Sequence, residues 1–149
     1  MAVQRHKLVN NQQGPFTHVA VFDYSDIADN LTSSNQVTLW NIPAGGAVEC
    51  AYVWEQTALA GATDITLDVG TTAGDPDEFI DGLDVDAMSV PVFNTGDAFS
   101  SPEEITGETA SDIAVLAEWN GTGGDLTAGR VIIAMTIFDP GAVALGSNL

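Results

Sequence analysis

From residue 16 onward the chain breaks into short runs in which apolar and polar positions exchange every second residue, the period of a strand with one buried face. At 16–24, His18, Ala20, Phe22 and Tyr24 alternate with Thr17, Val19, Val21 and Asp23. Residues 25–29, behind a Ser25 cap, predict one helical turn, and 30–35 a loop. At 36–42, Val37 and Leu39 alternate with Thr38 and Trp40, and Pro43 with Gly45 and Gly46 predicts a turn. Residues 47–57 form a long strand with Val48, Cys50, Tyr52 and Trp54 on one face, followed by a small-residue connection at 59–62. At 64–69, Ile65, Leu67 and Val69 oppose Asp64, Thr66 and Asp68, the pattern of a half-buried strand.

The second half is similar. Asp75 as cap, Pro76 in the first helical position and acids behind them predict a short helical turn near 76–82, anchored by Phe79, Ile80 and Leu83. Residues 88–94 are a short strand whose Pro91 assigns it to an edge or a bulge. A loop at 94–101 and a weak strand at 103–109 follow. At 112–119, Ile113, Val115, Ala117 and Trp119 alternate with Ala114, Leu116 and Glu118, and the Gly-rich run at 120–124 turns the chain. Residues 128–138 are the most apolar strand and hence the central one, closed by Asp139, Pro140 and Gly141. About eight strands with Gly, Pro and Asn turns and no long helical period predict an all-β fold, an antiparallel two-sheet β-sandwich that is jelly-roll-like or immunoglobulin-like. The organisation is an extended N-terminal arm at 1–15, a sandwich domain at 16–139 and an uncharged tail at 140–149. The arm is polar and amide-rich, with little core of its own.

Charge changes the picture. Three Lys and Arg stand against 21 Asp and Glu in 149 residues, a net of −18. Residues 1–22 hold Arg5 and Lys7 and no acid; residues 23–139 hold all 21 acids and only Arg130. Such a body repels nucleic acid and anionic membranes, whose binding needs clustered Lys or Arg. It suits a saline setting as well as plain solubility. No apolar run resembles a signal peptide or reaches the ~18 residues of a membrane span, so neither secretion nor a membrane is expected. The single cysteine, Cys50, excludes an intrachain disulfide and is read as a small buried hydrophobe.

Candidate chemistry is sparse. His6 lies in the arm and His18 in the first strand, and neither neighbours a nucleophile motif. Glu49, Glu55 and Glu118 near Trp54 and Trp119 are the best a glycosidase reading can draw on, but outward-facing strand acids explain them. Asp75, Asp77, Asp81, Asp84 and Asp86 put five carboxylates within twelve residues, the hard oxygen ligands Ca²⁺ takes. Their spacing is not that of an EF-hand, because Phe79 and Ile80 stand where a ligand and Gly are needed. The stretch is therefore a solvated turn first and a cation site second. One Cys and two distant His exclude zinc. No cofactor is expected, and the chain is not expected to be an enzyme.

The order FDYSDI, a strand, IPAGGAVECAYVWEQTALAG, DITLDVG, DPDEFIDGLDVDA and a last strand RVIIAMTIF resembles small β-sandwich virion proteins of tailed bacteriophages, the capsid decoration (cement or head-fibre-like) proteins, over residues 16–138. The resemblance implies non-enzymatic binding to the major capsid protein on the capsid exterior, stabilising the shell, as a homo-oligomer and often a homotrimer. It implies a chain synthesised in the host cytoplasm and located in the virion. It carries over no catalytic or ligand residues. Beside it, the basic arm (Arg5, His6, Lys7) with Phe16 is the candidate capsid or subunit contact. The competing readings are a carbohydrate-binding or adhesion module, Ca²⁺-dependent through the acidic loop, and another self-assembling structural protein.

Overall fold

The computed structural model of the chain describes residues 6–8, 16–32, 36–71, 76–86, 88–93, 95–96, 111–122 and 124–139. They form β1 (His6–Leu8), β2 (His18–Asp23), α1 (Tyr24–Thr32), β3 (Gln36–Ile42), β4 (Ala47–Ala60), β5 (Thr63–Thr71), β6 (Ile80–Asp84), β7 (Val92–Phe93), β8 (Ile113–Thr122) and β9 (Ala128–Phe138). One sheet has the order β1-β2-β9-β4-β7 and the other β3-β8-β5-β6, and every pairing is antiparallel. Leaving β1 aside, the orders β2-β9-β4-β7 and β3-β8-β5-β6 are two interleaved Greek keys, the eight-stranded jelly roll. The all-β sandwich expected from alternation is the observed fold.

Inward positions of the two sheets meet in one core: Phe22, Val48, Ala51, Val53, Val131, Ile133 and Met135 from one side, Ile65, Leu67, Val69, Val115, Ala117 and Trp119 from the other. Phe22 meets Trp119 edge to face at 5.2 Å, a geometry worth ~0.5–1.5 kcal/mol beyond the area buried. The most apolar strand, β9, lies centrally between β2 and β4, as its composition predicts. At the start of helix α1 the Asp26 carboxylate reaches back to accept the backbone N–H of Asp23 at 3.1 Å, one of the two bonds of a capping box. Its Ile27 is fully buried, while Ala28 and Leu31 pack against the core. The helix thus begins at Tyr24, behind Asp23, and runs nine residues, longer than the single Ser25-capped turn expected.

Three expectations are corrected. The helical turn anticipated near 76–82 is a turn that passes directly into β6. Phe79 N–H donates to the Val69 carbonyl, and Ile80 pairs with Val69, so the open edge of β5 captures this segment before a helix can close. Second, β4 contains a bulge between Val48 and Cys50. The extra residue reverses the alternation, so Ala51 and Val53 are the fully buried positions and Cys50 is half-buried on the outside. Third, a register shift between Thr38 and Trp40 turns Trp40 inward beside Leu39, and both are buried. The expected strand at 103–109, most of the arm and the tail lie outside the described residues.

Candidate interaction face

The bulge in β4 decides what the outside of the five-stranded sheet looks like. With Val48 inward and one residue inserted, Cys50, Tyr52 and Trp54 point away from the core. The register lines them up with the outward positions of the neighbouring strands. Tyr52 pairs with Ala134 and Phe93, and Ala134 pairs with Val19; Trp54 pairs with Ile132, and Ile132 with Val21. Cys50 pairs with Thr136. Between β2 and β7 these two rows carry no charged residue, and the first row ends at Lys7, which pairs with Val19 from the edge strand β1.

Aromatic rings tie the first row together. Tyr52 stands 5.1 Å from Phe16 and 4.9 Å from Phe93, the latter edge to face. Ala134, between Val19 and Tyr52, is only 2% exposed although it points outward, so its larger neighbours close over it. Partial burial pushes the Tyr52 hydroxyl and the Cys50 thiol above their ordinary pKa values, because the charged forms lose water there. Charges appear only at the margins. In the next row, Arg130 Nε bonds Asp23 Oδ1 at 2.7 Å. The Glu55 carboxylate accepts the Leu59 N–H at 2.6 Å, and Glu49 occupies the bulge.

The outer face of the four-stranded sheet is the opposite in character. Its outward positions include Thr66, Asp68, Asp84, Glu118 and Asn120, with Gln36 donating to Glu118 at 2.7 Å. Asp68 accepts the Gly82 N–H, yet its carboxyl is held above the usual range, first by burial and then by repulsion from Asp77, Glu118 and Asp81. Asp84 and Asp86 share a hydrogen bond that raises the former and lowers the latter, and Asp86 also accepts the Ile65 N–H at 3.3 Å.

The structure distributes the sequence-derived candidates unevenly. Phe16 joins the aromatic row. His6 and Lys7 fall in β1, paired with Ala20 and Val19 at the edge of the same sheet, while Arg5 lies outside the described residues. Of the five aspartates, Asp75 lies outside the described residues, Asp77 and Asp81 act on Asp68, and Asp84 pairs with Asp86. Among the described residues no three His, Cys, Asp or Glu side chains form a group able to hold a metal ion. His18 rests 5.3 Å from the Trp40 ring, beside Thr17, whose hydroxyl accepts the Ile137 N–H at 2.9 Å and ties β2 to β9. No described helix is long and apolar enough to cross a membrane.

Reasoning from alternation missed Tyr52, Trp54 and Cys50 as outward residues. A signal was present in β2 and β9. Val19, Val21, Ile132 and Ala134 are apolar on the parity that a one-sided sandwich strand leaves polar. Strands apolar on both faces in a two-layer fold announce a second covered surface.

No protein-family model matches the chain, and no curated protein matches it. Among solved structures, a chain of the cyanophage Pam1 capsid asymmetric unit is similar over 94% of this chain and 97% of that one, with a TM-score of 0.55 and 19% sequence identity. At that identity the likeness is one of fold.

Proposed function

We propose that this chain is a non-enzymatic virion structural protein, a decoration or cement protein that binds the exterior of a phage capsid and stabilises the shell. The observation that carries the reading is the division of the jelly roll into one apolar outer face and one acidic outer face. A jelly roll by itself serves capsid, lectin and enzyme domains alike. A surface layer needs one side that holds neighbours and one that faces solvent, and this fold supplies both. The likeness to a capsid chain along nearly the full length of both supports the same assignment. On this reading the partners are the major capsid protein and sister copies, a trimer being the favoured state. The arm with Arg5, His6 and Lys7 supplies positive charge beside an otherwise acidic body.

Binding that bridges capsomers stabilises the shell by mass action, because only the assembled lattice presents the complete site. The test is quantitative mass spectrometry of purified virions, followed by protease treatment of intact particles. A fixed copy number per particle, with the chain cleaved before the shell is breached, is the expected result. Absence from purified particles overturns the reading.

A further inference from the structure

The outer face of the five-stranded sheet has a more specific use. We propose that it is the surface through which copies of this chain associate, centred on Tyr52, Trp54 and Phe93. This deepens the virion reading by naming the partner of that face, and it concerns the isolated chain, so the two can fail separately.

Exposure is the first ground. The large exposed hydrophobics among the described residues are Tyr24 at 40%, Trp54 at 38%, Val90 at 62%, Phe93 at 53% and Phe138 at 44%. Trp54, Phe93 and Phe138 are outward residues of this sheet, and Val90 lies just before β7. None belongs to the four-stranded sheet, whose outward Leu116 is itself buried. Hydrophobic residues gathered on one side of a fold mark a contact, whereas scattered ones do not.

Charge selects the occupant. A basic partner is drawn to the acidic face, where Asp77, Glu118 and Asp81 bear on Asp68. A polyanion is disfavoured by the net charge of −18. The apolar face complements a surface that is neutral and apolar, and a second copy presents one. Copies meeting by the four-stranded sheet bring acids against acids, at a net charge of −18 each. Meeting by this side, they set their acidic faces outward and far apart.

Size sets the strength. Strands ~4.8 Å apart with a rise of ~3.3 Å per residue give β2, β9, β4 and the short β7 a footprint of roughly 300–400 Å². That is about half of the ~800 Å² per partner of a standard interface. The contact is therefore weak and concentration-dependent in solution. Sodium chloride strengthens it by screening the remaining like-charge repulsion, the reverse of a salt-bridged contact.

Sedimentation velocity over a concentration series at low and high sodium chloride tests this. The expected result is reversible association that grows with both. Trp54→Glu and Phe93→Glu each lower the association constant by roughly tenfold or more, because a central contact residue becomes a charge. Thr38→Glu, an exposed position of the opposite sheet, leaves it unchanged. Phe93→Ser is the second variant, since a two-residue edge strand tolerates it without disturbing the core. A chain that stays monomeric at every concentration and salt overturns the proposal. So does association indifferent to Trp54 and Phe93, or equally sensitive to Thr38.

Discussion

Substituting threonine at two adjacent positions of β4 tests the bulge on which the character of the outer face depends. Ala51 is fully buried and points inward; Cys50 is half-buried, points outward and pairs with Thr136. Ala51→Thr adds a methyl and a hydroxyl to a closed core. Overpacking costs about 1–3 kcal/mol and an unpaired buried hydroxyl about 1–3 kcal/mol, so the partly overlapping sum is roughly 2–4 kcal/mol. Cys50→Thr places a strand-favouring side chain opposite another threonine, a pair worth ~0.2–1 kcal/mol, and the net change stays within about 1 kcal/mol. At ~2–4 °C per kcal/mol for a chain of this size, Ala51→Thr lowers Tm by about 5–15 °C and Cys50→Thr by only a few degrees. Urea melts followed by tryptophan fluorescence, at concentrations low enough to keep the chain monomeric, measure both. Unbroken alternation puts Cys50 in the core and reverses the order. A Cys50→Thr loss equal to or larger than the Ala51→Thr loss refutes the bulged register and the outward placement of Tyr52 and Trp54.

Two further predictions concern the turns and the acidic face. Gly61 has φ +101°, and a Cβ there would collide with the Asp125 carbonyl, whereas Gly82 at φ +51° has nothing within 4 Å of that position. Gly61→Ala should therefore cost about 2 kcal/mol or more in urea melts and Gly82→Ala about 1 kcal/mol or less; equal losses would mean that the β4–β5 turn is not as described. Asp68 has its folded pKa raised by burial and by its acidic neighbours, so it favours the fold below its unfolded pKa and that contribution is lost as pH rises through the folded value. Asp68→Asn, which keeps an oxygen for the Gly82 N–H, should make the chain more stable than wild type at neutral pH and reduce the wild type's gain on acidification. A neutral-pH loss with the pH dependence unchanged rejects this account.

Alternation recovered those parts of the fold in which it is unbroken. The limits of β3 and β9 match the observed strands, although β3 is irregular at Leu39 and Trp40, and the inward residues Ile65, Leu67 and Val69 of β5 and Val115, Ala117 and Trp119 of β8 are the expected ones. Alternation failed where one residue is inserted. A bulge leaves no mark in composition, and Val48, Cys50, Tyr52 and Trp54 form as good an apolar row as Ala51 and Val53 with their neighbours. The segment after Asp75 failed for another reason. Its local helix-start chemistry is sound, but the unpaired edge of β5 offers Phe79 and Ile80 backbone partners together with burial. Tertiary pairing overrides a capping preference of about 1 kcal/mol.

The placement of charge is harder to explain by solubility than its amount. Twenty-one acids serving solubility alone would occupy the outward positions of both sheets. Outward residues of the four-stranded sheet include Gln36, Thr66, Asp68, Asp84, Glu118 and Asn120, while the middle of the five-stranded sheet has Val19, Val21, Cys50, Tyr52, Trp54, Ile132 and Ala134, with Lys7, Asp23 and Arg130 only at its borders. Leaving the second set bare carries an aggregation hazard that only a contact offsets. The high charge then limits that contact: repulsion keeps free copies apart at low concentration, so the face does not drive runaway association. On a shell the balance changes. Copies held side by side meet at effective concentrations in the millimolar range, where a contact of a few hundred Å² that is weak in solution becomes occupied. An apolar face on a strongly acidic body is thus suited to a protein that joins its neighbours once it has been seated.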